Sequence, residues 1–364
     1  MSLSRAAGMS EMQQQRYIIG SDDLILLTGA TGFIGSKLVE TLLELGFRNL
    51  RCFARPSKKQ ARLAEIAKAH EGAIVEVLEG NLLSREDCAA AAKDAKVIFH
   101  LAAGTGQKSF ADAFMNSVVT TRNLLESASQ DKCLKRFVNV SSIAVYSNMQ
   151  KPRRMLLDET CEIEEHPELR SEAYCFAKVK QEQFVIEYCG KFRIPHVIVR
   201  PGCVYGPGKN YLTDRVGIDT FGIFLHIGGS NRIPLTYVDN CAEAIALAGL
   251  RDGIDGEVFN IVDDDLPSSR QFLRLYKKNV RHFRSLYVPH FVSYFLCYLW
   301  ERYAAWSQEQ LPPAFNRKRW NAYWRKTEYS NARLKIRVGW SPKVPKAEAF
   351  KRFFEACRNG VGHA

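Results

Sequence analysis

The sequence lacks a long apolar run. A bilayer-spanning helix needs about 20 consecutive apolar residues, and no such stretch occurs among the 364 residues of the chain. The opening segment "MSLSRAAGMSEMQQQRYIIG" also lacks the apolar centre of a secretory signal. We therefore expect no membrane span, a loose tail over residues 1–20 and a cytoplasmic protein.

Paired cysteines are missing as well. The chain has ten cysteines, but no two have the CxxC spacing of a zinc site or a redox motif. Several lie in apolar runs such as "CAEAIALAGL", where cysteine behaves as a small core residue. This usage predicts reduced thiols in the cytosol and no metal.

Acidic residues are in deficit. The chain carries 51 Lys and Arg against 39 Asp and Glu, which gives a formal net charge of +12. An anionic partner would suit this charge: a phosphorylated cofactor, an acidic lipid surface or nucleic acid. A basic surface that only keeps the protein soluble is the alternative. Because the basic residues are dispersed and no nucleic-acid motif occurs, we expect no nucleic-acid partner.

Short apolar strands and helical stretches alternate along the first 200 residues. The strands are "LILL", "LRCFAR", "AIVEVLEGNL", "AKVIFHLAA", "RFVNVSS" and "PHVIVRPG". This alternation predicts an α/β fold with a doubly wound parallel sheet of the Rossmann type. We assign residues 21–205 to a dinucleotide-binding domain. Residues 206–364 form a smaller, mostly helical substrate lobe, some of whose strands return to the main sheet.

A glycine turn follows the first strand and opens an apolar helix. In "GATGFIG", Gly29 permits the tight turn, Gly32 lets a pyrophosphate approach the backbone, and Gly35 lets the helix pack on the strand. The helix N-terminus then presents free N–H groups to the phosphates. A plain glycine-rich turn is the alternative. We expect this turn to bind a dinucleotide with the following residues: Gly29, Thr31, Gly32, Phe33, Ile34 and Gly35.

No carboxylate ends the second strand, where NAD-binding proteins place one for the ribose 2′-hydroxyl. The segment is "FARPSKK", with Arg55 followed by Ser57, Lys58 and Lys59. A guanidinium suits a 2′-phosphate. The segment therefore favours NADP over NAD, unless these residues are only solvated surface charges.

Two further strand ends have residues suited to the cofactor. Asn81 and Leu82 follow the third strand and are placed to meet the adenine. After the fourth strand, "HLAAGTG" offers Leu101 with Ala102 and Ala103, whose small side chains leave room for the cofactor. Small residues at a strand end also serve packing alone.

Tyr174 and Lys178 of "AYCFAK" are four residues apart, so on a helix they share a face. Hydride transfer between nicotinamide and a carbon also moves a proton on the attached oxygen. A tyrosine with a pKa of about 10 is a poor base at neutral pH, and lowering it by about 3 takes roughly 4 kcal/mol from a nearby ammonium. An exposed helix face is the alternative.

The motifs "TGATGFIG", "HLAA", "SSIAVYS", "YCFAK" and "RPGCVYGPG" occur in one order. Together they resemble the extended short-chain dehydrogenase/reductases of the NAD-dependent epimerase/dehydratase family, over roughly residues 22–262. The resemblance implies that Tyr174 is the catalytic acid/base, that Lys178 is its partner, and that Ser142 binds the substrate oxygen. Pro201 and Val204 would border the nicotinamide. It also implies a homodimer through the helix "VVTTRNLLESA" and the helix of Tyr174.

The sequence differs from the family pattern at positions that contact the substrate in nucleotide-sugar enzymes. Cys203 stands where nucleotide-sugar enzymes have an asparagine, and Ile233 stands where they have an arginine, with Arg232 one residue earlier. The family's asparagine after the fourth strand appears as Ser117, next to Asn116. These changes weaken a nucleotide-sugar assignment.

Two aromatic segments follow in the C-terminal third. They are "LYVPHFVSYFLCYLW", residues 286–300, and "NRKRWNAYWRK". Each suits a membrane surface or, alternatively, the wall of the substrate pocket.

Three functions fit these observations. The first is an NADP-dependent enzyme that interconverts a secondary alcohol and a ketone, on a sterol-like or other apolar substrate. The second is a nucleotide-sugar epimerase or dehydratase that returns the hydride to its own substrate. The third is a dinucleotide-sensing protein without catalysis, which would have no need of Ser142, Tyr174 and Lys178.

Overall fold

The computed structural model describes six ranges: residues 17–104, 109–147, 155–209, 212–220, 222–308 and 315–361. Most of the predicted tail, residues 1–16, lies outside them. Tyr17, Ile18 and Ile19, which we placed in the tail, instead lie against the body of the protein. The Ile18 N–H donates to the Leu250 carbonyl at 3.0 Å, and Ile19 is buried.

Seven parallel strands form the main sheet. Their spatial order is β12-β7-β5-β4-β1-β2-β3. Their bounds are Ile25–Thr28 (β1), Asn49–Ala54 (β2), Ile74–Glu79 (β3), Val97–His100 (β4), Arg136–Val140 (β5), His196–Pro201 (β7) and Val258–Ile261 (β12). The order reverses between β1 and β4, and ligands of such sheets bind at the carboxyl ends of the strands beside this reversal.

Helices cover both faces of the sheet. Those of the first 200 residues are Phe33–Glu44 (α1), Ala61–Lys68 (α2), Arg85–Ala92 (α3), Phe110–Phe114 (α4), Thr120–Ala128 (α5) and Ala173–Phe192 (α6), with a π-helical turn over Met115–Val119 between α4 and α5. The later helices are Val238–Leu250 (α7), Ser269–Asn279 (α8), His290–Trp306 (α9), Arg317–Trp324 (α10), Ala332–Val338 (α11) and Lys346–Val361 (α12). The predicted Rossmann-type sheet is confirmed.

Alternating side chains of each strand supply the two apolar cores. On β1, Ile25 and Leu27 face one core while Leu26 faces the other, and all three are fully buried. This explains why the central strands are continuous apolar runs, as expected for strands that are covered on both faces. Helix α7 is buried almost all round, and its Gly249 lies against the ring of Phe99.

The chain after residue 206 contributes to both parts of the molecule. Strand β12 pairs with β7 at the edge of the main sheet, and helix α7 packs on that sheet. This agrees with the expectation that some strands of the second lobe return to the main sheet. The other strands of the chain form three small sheets. These strands are Met155–Leu157 (β6), Cys203–Tyr205 (β8), Gly217–Thr220 (β9), Ile223–His226 (β10), Leu235–Tyr237 (β11), Ser285–Tyr287 (β13) and Thr327–Tyr329 (β14).

Across the described ranges, no helix combines the length and apolarity needed to cross a bilayer. All ten cysteines are free thiols, and eight of them are buried. Burial raises the pKa of most of these thiols, for example to about 12 for Cys52, which keeps them protonated. No cluster of three metal-ligating side chains occurs in the same ranges.

Gly35 sets how closely α1 approaches β1. A Cβ at this position would lie 2.1 Å from the Gly29 carbonyl oxygen and 2.8 Å from the Ala30 Cα. Both are backbone atoms that cannot move aside without moving the strand end. The close packing that the glycine spacing predicted is therefore present.

We expect Gly35→Ala to lower the free energy of unfolding by about 1–3 kcal/mol, the usual cost of overpacking. Gly190 of α6 is the matched control because a Cβ there meets no atom within 4 Å. Gly190→Ala should stabilise the protein by about 0.5–1 kcal/mol, the helix preference for alanine. Urea titration followed by circular dichroism measures both, and equal effects would contradict the close contact.

Candidate active site

A cleft of about 660 Å³ opens at the carboxyl ends of the main-sheet strands. One wall is the glycine turn after β1 together with the ends of β4, β5 and β7. The opposite wall comes from the C-terminal lobe and includes Thr213, Arg215 and Tyr323. The cleft therefore lies at the reversal of strand order, where the topology places a ligand.

The glycine turn is shaped for close approach by a ligand. Gly29 has a φ of +72°, which glycine adopts without strain, and its Cα lies close to the backbone of Leu101 and Ala102. Helix α1 begins at Phe33, and no side chain caps its first N–H groups. These N–H groups, with the positive end of the helix dipole, are suited to phosphates. The turn thus fits the pyrophosphate of a dinucleotide.

Most of the predicted site residues line this cleft. Those that do are Gly29, Gly32, Phe33, Ile34, Gly35, Leu101, Ala103, Ser142, Tyr174, Lys178, Pro201 and Val204. Those outside the cleft lining are Thr31, Arg55, Asn81, Leu82 and Ala102. Asn81 binds locally, since its side-chain oxygen accepts from the Leu83 N–H at 3.0 Å. The roles assigned to both groups stay predictions.

Basic residues follow β2, and one of them lines the cleft. Lys59 belongs to the cleft lining, whereas Arg55 is exposed and lies outside that lining, and the Arg55 carbonyl accepts from the Gln60 side chain at 3.3 Å. The absence of a carboxylate after β2 was visible in the sequence. The sequence could not show whether Arg55 or Lys59 lines the cleft, because this depends on the 3₁₀ turn over Lys58–Gln60.

Tyr174 lies at the start of α6 and faces Ser142, which follows β5. Burial raises the pKa of Tyr174 to about 12, although a hydrogen bond with the Ser142 side chain acts in the opposite direction. The sequence argument expected Lys178 to lower this pKa, and that expectation is wrong for the protein alone. The reason is that burial dominates. At neutral pH the phenol is protonated and can act as an acid.

The Lys178 ammonium is fully buried and is held by two oxygens. It donates to the Val140 carbonyl at 2.7 Å and to the Gln181 side chain at 2.9 Å. Burial lowers the pKa of Lys178 to about 8, while Glu182 acts to raise it. The ammonium therefore loses its proton just above neutral pH, far below the usual range of lysine.

A buried polar chain continues from Lys178 toward β1. Gln181 donates to the Thr121 hydroxyl at 2.7 Å, and Thr121 in turn lies 2.8 Å from the His100 ring. The other His100 nitrogen is 2.8 Å from the Thr28 hydroxyl. Burial, with a smaller contribution from Lys178, lowers the pKa of His100 to about 3, so the ring is neutral. These side chains fix the carboxyl ends of β1 and β4 relative to α6.

The π-helical turn over Met115–Val119 supplies a further acceptor for this chain. The Ser117 carbonyl accepts from Thr121 at 2.5 Å and from Gln181 at 3.4 Å, and its hydroxyl accepts from the Gly104 N–H. Such turns widen a helix and redirect its carbonyls. Ser117, the position that aligned with the family asparagine, thus contributes through its backbone. No sequence pattern marks Gln181 or the π-helical turn.

A buried ion pair holds α6 to the sheet. The Arg200 guanidinium on β7 contacts both carboxylate oxygens of Glu182, with the Nε distances at 3.1 and 3.2 Å. The same carboxylate accepts from the Ser141 hydroxyl at 2.5 Å. Ser141 also lines the cleft, and its bond to Glu182 holds the segment that continues into Ser142.

The C-terminal lobe adds polar side chains near Tyr174 that the sequence did not identify. The buried Arg215 donates to the Ala322 carbonyl at 3.0 Å and to the Tyr329 hydroxyl at 3.1 Å, and it lies 5.0 Å over the Tyr323 ring. The Tyr323 hydroxyl donates to Glu172. No local pattern marks Arg215, because it lies in a loop that tertiary packing brings to the cleft.

Two positions at which the sequence departs from nucleotide-sugar enzymes lie in different surroundings. Ile233 is in the core, and Arg232 donates to the Leu266 carbonyl at 2.8 Å, outside the cleft lining. Cys203 lines the cleft, and its sulfur accepts from Thr213 at 3.6 Å. Of the two aromatic segments, α10 contributes Tyr323 to the cleft wall, whereas residues 286–300 are not among its lining.

Proteins of known function share part of this sequence. A 3 beta-hydroxysteroid dehydrogenase/Delta 5→4-isomerase of Mycobacterium tuberculosis is 32% identical over 243 residues, 64% of this chain and 61% of that protein. A cinnamoyl-CoA reductase 1 of Oryza sativa subsp. japonica is 31% identical over 192 residues, 52% of this chain and 55% of that protein. The chain thus matches less than two thirds of the length of these relatives.

Solved structures show the same fold. A UDP-glucuronic acid 4-epimerase from Bacillus cereus, solved in complex with NAD, has a TM-score of 0.68 at 20% identity and covers 92% of this chain and 99% of that one. The model of the family described as "NAD dependent epimerase/dehydratase family" matches residues 25–262. The predicted resemblance to this family is confirmed. The chain belongs to the NAD dependent epimerase/dehydratase family.

Proposed function

We propose that the protein is an NADP-dependent oxidoreductase that reduces a ketone to a secondary alcohol, or runs the reverse reaction, on an apolar substrate. The observation that carries this proposal is the arrangement of Ser142, Tyr174 and Lys178 in one cleft with the glycine turn. A protein that only sensed a dinucleotide would not need an ammonium buried in the lining of the cleft, because burying a charge is costly.

Each residue has a distinct part in the proposed reaction. The cofactor, when bound, supplies or accepts the hydride. The Ser142 hydroxyl holds the substrate oxygen, and Tyr174 donates its proton to that oxygen as the carbonyl carbon is reduced. Because its pKa is raised to about 12, the phenol is in the protonated form that this direction needs. Lys178 places a positive charge behind the phenol and fixes its surroundings.

Three observations favour an apolar substrate. Arg232 points away from the cleft, and Cys203 replaces a side-chain amide, so two contacts for a sugar diphosphate are missing. In addition, the relatives include a hydroxysteroid dehydrogenase. One observation favours the alternative, a nucleotide-sugar epimerase: Arg215 supplies a buried cation in the cleft that suits a phosphate.

The assembly that we propose is a homodimer through α5 and α6, the helices that the family resemblance indicates. Helix α6 exposes two apolar side chains, Ile186 and Phe192, at 45% and 50%. Exposed apolar side chains are suited to such a contact.

Deuteride tracing distinguishes the two reactions. The protein is incubated with NADPH deuterated at the transferable position and a cell extract, and labelled products are identified by mass spectrometry. We expect deuterium in an apolar alcohol. Tyr174→Phe should reduce the labelling rate about 10²–10⁴-fold, the usual contribution of a general acid. Tyr188→Phe, the same change on the same helix away from the cleft, should leave it unchanged.

An unlabelled extract, from protein shown to bind NADPH, would contradict net reduction and favour internal return of the hydride. UDP-sugars would then be tested for conversion without net change of the cofactor.

The rate of reduction should depend on pH through the protonation of Lys178. Its lowered pKa of about 8 means that the ammonium is lost above that pH, while Tyr174 stays protonated to about 12. We expect kcat/KM for reduction to fall about tenfold per pH unit above about 8, one proton being lost. Lys178→Met should be slower but flat between about pH 7 and 10. A falling limb that survives in Lys178→Met would contradict this assignment.

Cofactor choice should depend on the bases after β2. We expect Arg55→Asp to weaken NADPH binding at least about tenfold, the loss of one charge-assisted contact, and to leave NADH binding nearly unchanged. Lys68→Asp on α2 is the control, because it makes the same charge change on an exposed side chain of another element. Fluorescence titration measures both cofactors. Equal losses would rule out a 2′-phosphate contact, and a selective loss seen only in Lys59→Asp would move the contact to Lys59.

A further inference from the structure

Helix α9 exposes aromatic and apolar side chains along one face. Phe291, Phe295 and Trp306 are exposed at 76%, 56% and 78%, and Tyr298 at 38%. With 3.6 residues per turn, these four positions and Arg302 fall within about 80° of one another around the helix axis. The buried side chains Ser293, Cys297 and Ala304 lie on the opposite side. Helix α9 therefore has an exposed aromatic side and a buried side.

The strand that precedes the helix also exposes apolar side chains. In β13, Leu286 and Tyr287 are exposed at 59% and 45%. We refer to the following residues as the docking face: Leu286, Tyr287, Phe291, Phe295, Tyr298, Arg302 and Trp306. Single exposed apolar residues are normal, but several of them along one helix face mark an interaction site.

A strongly basic pocket adjoins the docking face. It has a volume of about 390 Å³ and is lined by His226, Arg270, Leu273, Arg274, Lys277, Lys278 and His282. No carboxylate lines it, and none of its four Lys and Arg side chains forms an ion pair within the described ranges. The pocket is thus suited to an anion.

Strand β13 joins the pocket to the docking face. Tyr287 is paired with His226 of β10, and the Arg270 guanidinium lies 5.3 Å from the Tyr287 ring centroid. Lys277 donates to the Ser285 hydroxyl at 2.7 Å. The aromatic face and the basic pocket are therefore held side by side by direct contacts.

The sequence of this region has a one-sided charge. From Leu266 to Trp300 it contains no Asp or Glu, and it contains these basic residues: Arg270, Arg274, Lys277, Lys278, Arg281 and Arg284. An amphipathic helix with aromatic residues on one side and basic residues beside it is typical of proteins that lie in the interface of an anionic bilayer. Tyr and Trp prefer this interface because their rings are both apolar and polar.

We propose that the docking face and the basic pocket attach the protein to the surface of an anionic bilayer, with α9 lying in the interface and the pocket receiving a lipid phosphate. Arg302, in the middle of the apolar face, can extend its charged end to the headgroups while its stem stays among the aromatic side chains. A second copy of the chain suits this surface less well. A symmetric contact would bring the two basic pockets toward each other, and like charges oppose such pairing.

The attachment would lie beside the entrance to the active site. Helix α10 packs on α9 through Trp320, whose indole N–H donates to the Ser293 hydroxyl at 2.9 Å. The same helix contributes Tyr323 to the wall of the active-site cleft. An apolar substrate could therefore leave the bilayer next to the cleft. The surface attachment itself does not depend on the proposed function.

Vesicle co-sedimentation of the full chain tests the proposal. One set of vesicles is pure phosphatidylcholine and the other contains about 30% phosphatidylglycerol, at about 0.1 M and 0.5 M salt. We expect binding to the anionic vesicles to exceed binding to the neutral ones at least tenfold at low salt, and to fall at high salt.

Two pairs of variants separate the two parts of the surface. Phe295→Ser with Trp306→Ser should lower binding at least tenfold, whereas Ile336→Ser, at an isoleucine of α11 that is 80% exposed, should not. Arg274→Glu with Lys278→Glu should remove the preference for anionic lipid, whereas Lys68→Glu with Lys93→Glu, the same charge change on exposed residues of the first domain, should not. Circular dichroism melting shows that each variant is folded.

Three results would overturn the proposal. The first is an absence of binding to both vesicle types. The second is binding that the four test substitutions leave unchanged. The third is a concentration-dependent dimer in sedimentation, without vesicle binding, that Phe295→Ser with Trp306→Ser abolishes, because the occupant would then be a second copy. Loss of vesicle binding leaves the deuteride-tracing result untouched, so failure of this proposal and failure of the proposed function are separable.

Discussion

The ion pair between Glu182 and Arg200 holds together the elements that carry the proposed catalytic residues. Both side chains are buried. Removing one of them would lower the stability of the protein by about 3–5 kcal/mol, because the other would remain as an unpaired buried charge. The pair joins α6 to β7, and the Ser141 hydroxyl joins β5 to the same carboxylate. Ser142 follows Ser141, and Tyr174 and Lys178 lie on α6. One buried carboxylate thus fixes the relative position of all three proposed catalytic side chains.

A second constraint follows from the burial of Lys178. An ammonium inside a protein needs acceptors, and here they are the Val140 carbonyl and the Gln181 side chain. Gln181 is itself held by Thr121 and by the carbonyl that the π-helical turn presents. The chain of contacts ends at Thr28 and His100, at the carboxyl ends of the two strands that flank the glycine turn. The strand ends beside the glycine turn and the proposed catalytic residues are therefore parts of one hydrogen-bonded system.

The sequence was informative where local rules decide the outcome. The glycine spacing predicted the approach of α1 to β1, and the strand pattern predicted the parallel sheet, because both depend on neighbouring residues. The i, i+4 spacing placed Tyr174 and Lys178 in one cleft. Arg215, Tyr323 and Gln181 could not be found this way, since tertiary packing brings them to the site. The prediction that Lys178 lowers the pKa of Tyr174 was wrong, because residue spacing does not show how strongly the folded protein desolvates the phenol.

The distribution of thiols has a practical consequence. Eight of the ten cysteines are buried, and Cys133 and Cys203 are half-buried. Of these two, Cys203 lines the cleft beside Pro201 and Val204, whereas Cys133 lies near the Ala95 carbonyl at the other end of the sheet. Alkylation depends on the thiolate and on access. A small maleimide would therefore label the native protein mainly at two sites, and protection of one of them by a bound molecule would report directly on occupancy of the cleft.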